Sequence, residues 1–285
     1  MNRSDFRYLE RLRVRWAEVD MQQIVFNGHY LMYFDTAVAG YWRALAMPYQ
    51  ETMRQLQGDL FVRKATLEYE ATARYDDQLL IGIRCGRIGT SSMVLHAAAF
   101  RGDVRLVHGD LVYVFADPAA HTSKPIPPVL RSVFEDFEAG RPVLDVAVDS
   151  WDSLAEEARG IRHAVFVEEQ KIPAEMVVDA HDGSALHAVA RNRFGLAVAS
   201  GRLLATAPGS GRIGRMATRA GLRSSGLGQA VLTALLDAAR RRGDQHVTLH
   251  AQLAAVPFYA RNGFVRSGAE FVEAGLPHIE MRLAL

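Results

Sequence analysis

At 285 residues, 49% of them apolar, the chain is long enough for two packed domains of ordinary size. Its 33 Lys and Arg against 32 Asp and Glu exclude a general electrostatic pull toward nucleic acid or an anionic membrane surface. Cys85 is the only cysteine, which excludes an intrachain disulfide and a Cys-rich zinc site and points to a reducing compartment. The charged start MNRSDFRYLERLRV lacks the apolar core of a secretory signal, and no apolar run nears the length of a membrane span. The expectation is a soluble, cytoplasmic protein.

Along the first half, Leu12, Val14 and Trp16 alternate with Arg11, Arg13 and Arg15, the pattern of a half-buried strand. A polar loop follows. Tyr30, Tyr33, Phe34, Ala37, Val38, Tyr41 and Leu45 then recur three and four apart, as one face of a long helix starting near Asn27. Pro48 suits the first turn of a short second helix. DLFVRKATLEYEA, QLLIGIRCGRI, SMVLHAAAFR and VRLVHGDLVYVFA read as strands, punctuated by Gly86, Gly89, Gly102 and Asp103. An antiparallel sheet wrapped around the helix is the economical arrangement. VLRSVFEDFEAG reads as a short helix stopped by Gly140, and the domain boundary falls between about Ala139 and Ser150. The expected domains are 1–140 and 145–285.

The second half is expected to open on a helix, SLAEEARGIRHAVFVEEQ, capped by Ser153. Strands HAVARNR, GLAVASGRLLA and RIGRMAT follow it. GLRSSGLG then runs into the helix QAVLTALLDAARRRG, with Val231, Leu235 and Ala238 as its apolar stripe. Its three terminal arginines face the negative end of the helix dipole, and Gly243 stops it. Strand HVTLHA, helix AAVPFYARNG and strand HIEMRLAL complete an α/β pattern with a mixed sheet.

The first candidate site lies in WAEVDMQQIVFNGHYLMYFD. Asp20 precedes the helix start at Asn27 and Gly28, where free N–H groups and the helix dipole suit a developing oxyanion. A carboxylate beside them is able to attack a thioester carbonyl or to activate a water. Taken alone, Asp20 reads as a turn or cap residue, His29 as a helix-turn residue, and Arg63 and Lys64 as solvated strand charges. RLRVRWAEVDMQQIVFNGHYLMYFD, with FVRKATLEYEATARYDDQL and VFADP…KPIP, resembles the 4-hydroxybenzoyl-CoA thioesterase branch of the hotdog superfamily over about residues 6–128. The resemblance implies that Asp20 is the catalytic carboxylate and that a backbone N–H at Asn27 or Gly28 holds the thioester oxygen. It also implies a site shared between protomers, hence a homodimer or larger assembly. Asn27 departs from the Tyr or His common there, which affects a side-chain role but not a backbone donor.

The second candidate is Arg223–Gly228, RSSGLG, at the start of a well-formed helix. Glycines allow close backbone approach, and successive N–H groups form an anion seat. With RIGRMAT before it and HVTLHAQLAAVPFYARNGF after it, this segment resembles the GNAT N-acetyltransferase family over about residues 150–285. The resemblance implies that Arg223, Ser224, Ser225, Gly226, Leu227 and Gly228 cradle the CoA pyrophosphate. It further implies that Met216, Ala217 and Thr218 pair with the pantetheine arm and that Tyr259 protonates the departing thiolate. Without the family context Tyr259 reads as a core aromatic beside Phe258 and Phe264. Glu168, Glu169, His187 and His250 stand as general-base candidates, none singled out. Asp179, His181, Asp182 and His187 lack metal-ligand spacing and read as a solvated loop.

The expected function is bifunctional, with acyl-CoA hydrolysis in front and acyl transfer from acyl-CoA to an amine behind. Acyl-CoA or acetyl-CoA enters as substrate, and no tightly bound cofactor or metal is expected. Alternatives are one active half with the other a CoA-binding or oligomerising module, and a non-enzymatic acyl-CoA sensor.

Overall fold

The computed structural model describes residues 1–285, which divide into two compact units, Met1–Val143 and Leu144–Leu285.

In the first unit, β1 (Tyr8–Arg13) leads through a loop to α1 (His29–Ala44) and α2 (Tyr49–Leu56). Strands β2 (Asp59–Tyr69), β3 (Gln78–Ile88), β4 (Ser92–Arg101) and β5 (Val104–Asp117) follow, with β6 (Thr122–Ser123) a short partner of β5. They form one antiparallel sheet in the order β1-β3-β4-β5-β2. All seven residues of the expected α1 stripe are buried, because the sheet curls around that face. Then α3 (Pro128–Glu138) packs on with Leu130, Val133 and Phe134 inward. The Tyr41 hydroxyl and the Cys85 N–H both donate to the Glu138 carboxylate, tying α3 to α1 and β3. Burial pushes the Cys85 thiol up to about 12, so it is an inert core group.

The expected first strand is corrected at its end. Val14 is buried, but Trp16 lies in a 3₁₀ turn at 16–18, 75% exposed against Tyr75, so the alternation outruns the strand. Helix α1 begins at His29 with Gly28 as N-cap, two residues after the expected start at Asn27. Pro48 likewise precedes α2 as its N-cap residue.

The second unit opens on a strand, not a helix. β7 (Leu144–Asp149) pairs antiparallel with β8 (Leu186–Asn192). Ser150, not Ser153, stands at the N-cap position of helix α4 (Trp151–Arg162), without a side-chain capping bond, and the chain widens into a π-helix at 163–169 before Gln170. Next come β9 (Ala197–Ala207), β10 (Ser210–Thr218), α5 (Leu227–Arg242), β11 (His246–Gln252), α6 (Val256–Arg261), β12 (Val265–Glu273) and β13 (Leu276–Ala284). The sheet order is β12-β13-β11-β10-β9-β8-β7, and only β10 and β11 run parallel. Helix α5 buries Val231, Leu235 and Ala238 and ends at Gly243, whose φ of 88° suits a glycine C-cap. Trp151, Leu154, Ala158 and Ile161 of α4 pack with Val189, Ala197 and Ala217 in the core.

Candidate active sites

In the first unit the loop after β1 folds back on itself. Phe26 N–H donates to the Glu18 carbonyl (3.0 Å), and Asp20 N–H donates to the Ile24 carbonyl (2.9 Å). These bonds tie the Asp20 turn to the segment leading into α1. Asp20 Oδ1 accepts from Gln22 N–H (2.8 Å), an Asx turn that leaves Oδ2 free. The N–H groups of Asn27 and Gly28 have no acceptor in the protein, whereas those of His29 and Tyr30 turn back to Phe26 and Asn27. Asn27 and Gly28 are exposed, and His29 packs edge-on against Phe26. Arg63 and Lys64 are exposed on β2, away from any ion pair.

Glu18 is a residue that the pattern of the sequence did not single out. It is 6% exposed, and its Oε2 accepts from the Tyr33 hydroxyl (2.7 Å) and Arg15 N–H (2.8 Å). It clamps the loop to the second turn of α1. Its only sequence signal is a carboxylate placed just before a buried helical stripe.

In the second unit the parallel pairing of β10 with β11 stops at Ile213↔Leu249. Gly214–Thr218 therefore have no partner on that side, and a register shift against β9 lies between Gly214 and Ala217. Arg215 at this irregularity has a φ of 53°. An open strand edge of this kind offers backbone groups to an extended ligand. The chain then turns through Ala220–Leu222 into α5. The N–H groups of Ser224, Ser225, Gly226, Leu227 and Gly228 find no acceptor in the protein. Gly226, at φ 87°, is the N-cap and takes a conformation that glycine adopts without strain.

Arg223 is not free. Its guanidinium meets Glu169 through both nitrogens (2.5 and 2.6 Å) and donates through Nε to the Thr218 carbonyl (3.2 Å). The hydrogen bonds from Arg223 hold the Glu169 carboxyl below its usual range, which makes Glu169 a poor base. Glu168 is exposed beside His163, with 3.3 Å between His163 Nδ1 and its Oε1.

A cleft of about 640 Å³ lies beside the open part of β10, lined by Met216, Tyr259, His250, Arg202 and Arg212 among others. Tyr259 is 7% exposed, edge-on to Phe258 and Phe264, and burial pushes its hydroxyl up to about 12. It is both the core aromatic and a protonated wall of the cleft. His250 Nδ1 lies 2.9 Å from Glu273 Oε2. Glu273 ends β12, whose alternation is interrupted at Gly268 by a register shift and so carries no clear strand pattern in the sequence.

Asp179, Asp182 and His187 belong to a buried ion network, which corrects the expected solvated loop. Arg162 and Arg202 both donate to Asp182 Oδ1 (2.9 and 2.8 Å), while Arg202 and Arg215 donate to the two oxygens of Asp179 (2.7 and 2.8 Å). Burial pushes the Asp179 carboxyl up, but Arg202 and Arg215 outweigh it and hold the group at about 2. Burial also lowers His187, which is fully enclosed between Arg162 and the Asp182 carbonyl. As a neutral ring it accepts from Arg162 at Nδ1 and donates from Nε2, so it is no general base. No group of three or more His, Cys, Asp or Glu is arranged to hold a metal.

Residues 155–285 match the Acetyltransferase (GNAT) domain model, and 22–108 match the Thioesterase superfamily model. The N-acetyltransferase YjcF of Bacillus subtilis (strain 168), described as uncharacterized, is 37% identical over 122 residues, 42% of this chain and 86% of that protein. The chain belongs to the GNAT acetyltransferase family. Its GNAT domain follows a thioesterase-superfamily domain whose matched region starts just after Asp20. An acyl-CoA N-acyltransferase structure from Pseudomonas aeruginosa is 34% identical, covering 50% of this chain and 99% of that one, with a TM-score of 0.45. A thioesterase-superfamily structure from Jannaschia sp. CCS1 is 19% identical, covering 45% and 90%, with a TM-score of 0.42. No helix of the chain is long and apolar enough to cross a membrane.

Proposed function

We propose that the protein is a bifunctional acyl-CoA enzyme, hydrolysing thioesters in its first unit and transferring an acyl group to an amine in its second. The observation that carries the reading is continuous in space and sequence. The open edge of β10 leads into five unsatisfied N–H groups at the start of α5, and the same cleft holds Tyr259. The edge at Met216, Ala217 and Thr218 pairs with the pantetheine arm, and the N–H run from Ser224 to Gly228 receives the pyrophosphate. The amine nitrogen attacks the thioester carbon, the C–S bond breaks, and the Tyr259 hydroxyl protonates the thiolate. Arg223 reaches the phosphates only by exchanging Glu169 for them.

In the first unit, Asp20 attacks the carbonyl or activates water through Oδ2, and the free N–H groups of Asn27 and Gly28 receive the oxyanion. A homodimer is supported by β2, eleven residues long at the sheet edge, with Phe61 44% and Val62 55% exposed. A strand edge of this length is a template for a second copy.

The test is thiol release over a panel of acyl-CoA esters, by the wild type and by Asp20→Asn, combined with detection of N-acylated amine. Thiol release that survives in a folded Asp20→Asn protein removes Asp20 from the hydrolytic mechanism. A wild type that neither binds nor consumes acyl-CoA removes the whole reading.

A further inference from the structure

The cleft of the GNAT unit has two walls of opposite character. On one side stands the buried network of three guanidinium groups, Arg162, Arg202 and Arg215, against two carboxylates, Asp179 and Asp182. With His187 neutral, three positive charges against two negative leave one positive charge uncompensated. Arg202, Arg215 and Asp179 of this network line the cleft, and Arg202 is the member with a donor left over. It is 5% exposed, both aspartates draw on its Nη1, and its buried Nε has no acceptor. Arg212 lines the same cleft, exposed, with no acceptor in the protein.

On the other side stands His250 with Glu273. The carboxylate accepts a hydrogen bond from Nδ1–H at 2.9 Å, which leaves the Nε2 lone pair of the neutral ring without a protein partner. Phe271 packs edge-on against this ring and stacks on His278, whose own Nδ1 is satisfied by the Leu276 carbonyl. Glu280 lies across the β11–β13 pairing from His250.

Between the walls lies Gly214. It pairs directly with Arg202 across β9 and β10, and it stands one step past the Ile213↔Leu249 pairing that points along β11 to His250. A Cβ built on Gly214 would meet nothing within 4 Å. The floor is therefore bare.

We propose that this cleft takes an amine that also carries an anionic group, a carboxylate or a phosphate. The anion sits over Arg202 and Arg212, and the ammonium faces His250 and Glu273. The inference rests on the transferase reading and supplies its acceptor class and its base. His250 Nε2 removes a proton from the ammonium, and the neutral nitrogen forms the C–N bond as the C–S bond breaks. The thiolate takes the Tyr259 proton. The second nitrogen proton replaces that one through solvent, and His250 releases its proton to water.

The test uses the full chain with acetyl-CoA and four amines: γ-aminobutyrate, aminoethylphosphonate, butylamine and putrescine. N-acetylated product is measured by mass. We expect one of the two anionic amines to exceed butylamine and putrescine by roughly ten- to a hundredfold, and which one does so names carboxylate or phosphate. Arg212→Ala should bring the preferred anionic amine down toward the rate of butylamine measured with the same variant. His250→Gln should slow every amine by about 10²–10⁴. Gly214→Val should stop transfer to all four while acetyl-CoA still binds in calorimetric titration. Equal rates across the four amines, no transfer to either anionic amine with acetyl-CoA bound, or an unchanged preference in Arg212→Ala overturns the proposal. If acetyl-CoA fails to bind the wild type, the transferase reading falls first, so the two failures are distinguishable.

Discussion

Glu18 and Asp20 stand two residues apart and differ in what holds them. Glu18 is buried and bonded to Tyr33 and Arg15, so Glu18→Ala should leave buried donors unmet and cost about 1–3 kcal/mol in urea unfolding. Asp20 is half-buried with a free Oδ2, so Asp20→Asn should leave the unfolding midpoint near the wild type while thiol release falls by about 10²–10⁴. Both were equally visible as letters in WAEVD, and only burial separates them. Asp179 makes a second residue-scale case. Its folded carboxyl titrates at about 2 against 3.8 ordinarily, so the stability it contributes is present above pH 3.8. That stability is lost as pH falls through the window from 3.8 to about 2. Thermal melts of the wild type should show an acid loss in that window that is smaller in Asp179→Asn, where Asp182 alone still contributes it, from an already lower melting temperature. An identical acid profile in the variant would remove Asp179 from the network's pH response.

At the scale of elements, the start of α5 carries the prediction for acetyl-CoA binding. Gly226→Glu places a side chain at φ 87° and a negative charge beside the N–H run. It should weaken acetyl-CoA binding more than Arg223→Ala, because Arg223 is already engaged by Glu169 and must give up that pair to reach a phosphate. Arg223→Ala should therefore lose less than the roughly 1.5–3 kcal/mol of a free charge-assisted contact. Glu169→Gln should tighten binding a few-fold. Calorimetric titration of acetyl-CoA, with circular dichroism to confirm the fold, measures all three; equal affinities would make the loop a plain helix start. The α1 and α5 stripes were legible because a helix repeats its buried face every three or four residues, whatever it packs against. β7 and β12 were not. LDVAVD is short and becomes a strand by pairing with β8, and VRSGAEFVE is broken at Gly268 and held by β13. The pairings that define both strands are tertiary facts.

At the scale of the molecule, the two units each have their own sheet and core, so fragments 1–143 and 144–285 should each fold. The first should sediment as a dimer or larger assembly, since β2 leaves one long edge with apolar side chains outward, and the second is expected to fold as a monomer. A folded, hydrolytically active monomer of 1–143 would contradict a site shared between copies. The sequence alone determined the two kinds of unit, the helix that the first sheet wraps, the α5 stripe and the glycine at its start. Each of these depends on periodicity or on a local backbone need that neighbouring residues express. Tertiary structure alone decided that Arg223 is held by Glu169, that His187 is locked in an ion network, and that His250 meets Glu273. These partners are 54, 25 and 23 residues apart along the chain. A charge acquires its partner, and with it its protonation and its availability, only when distant segments of the chain have been brought side by side.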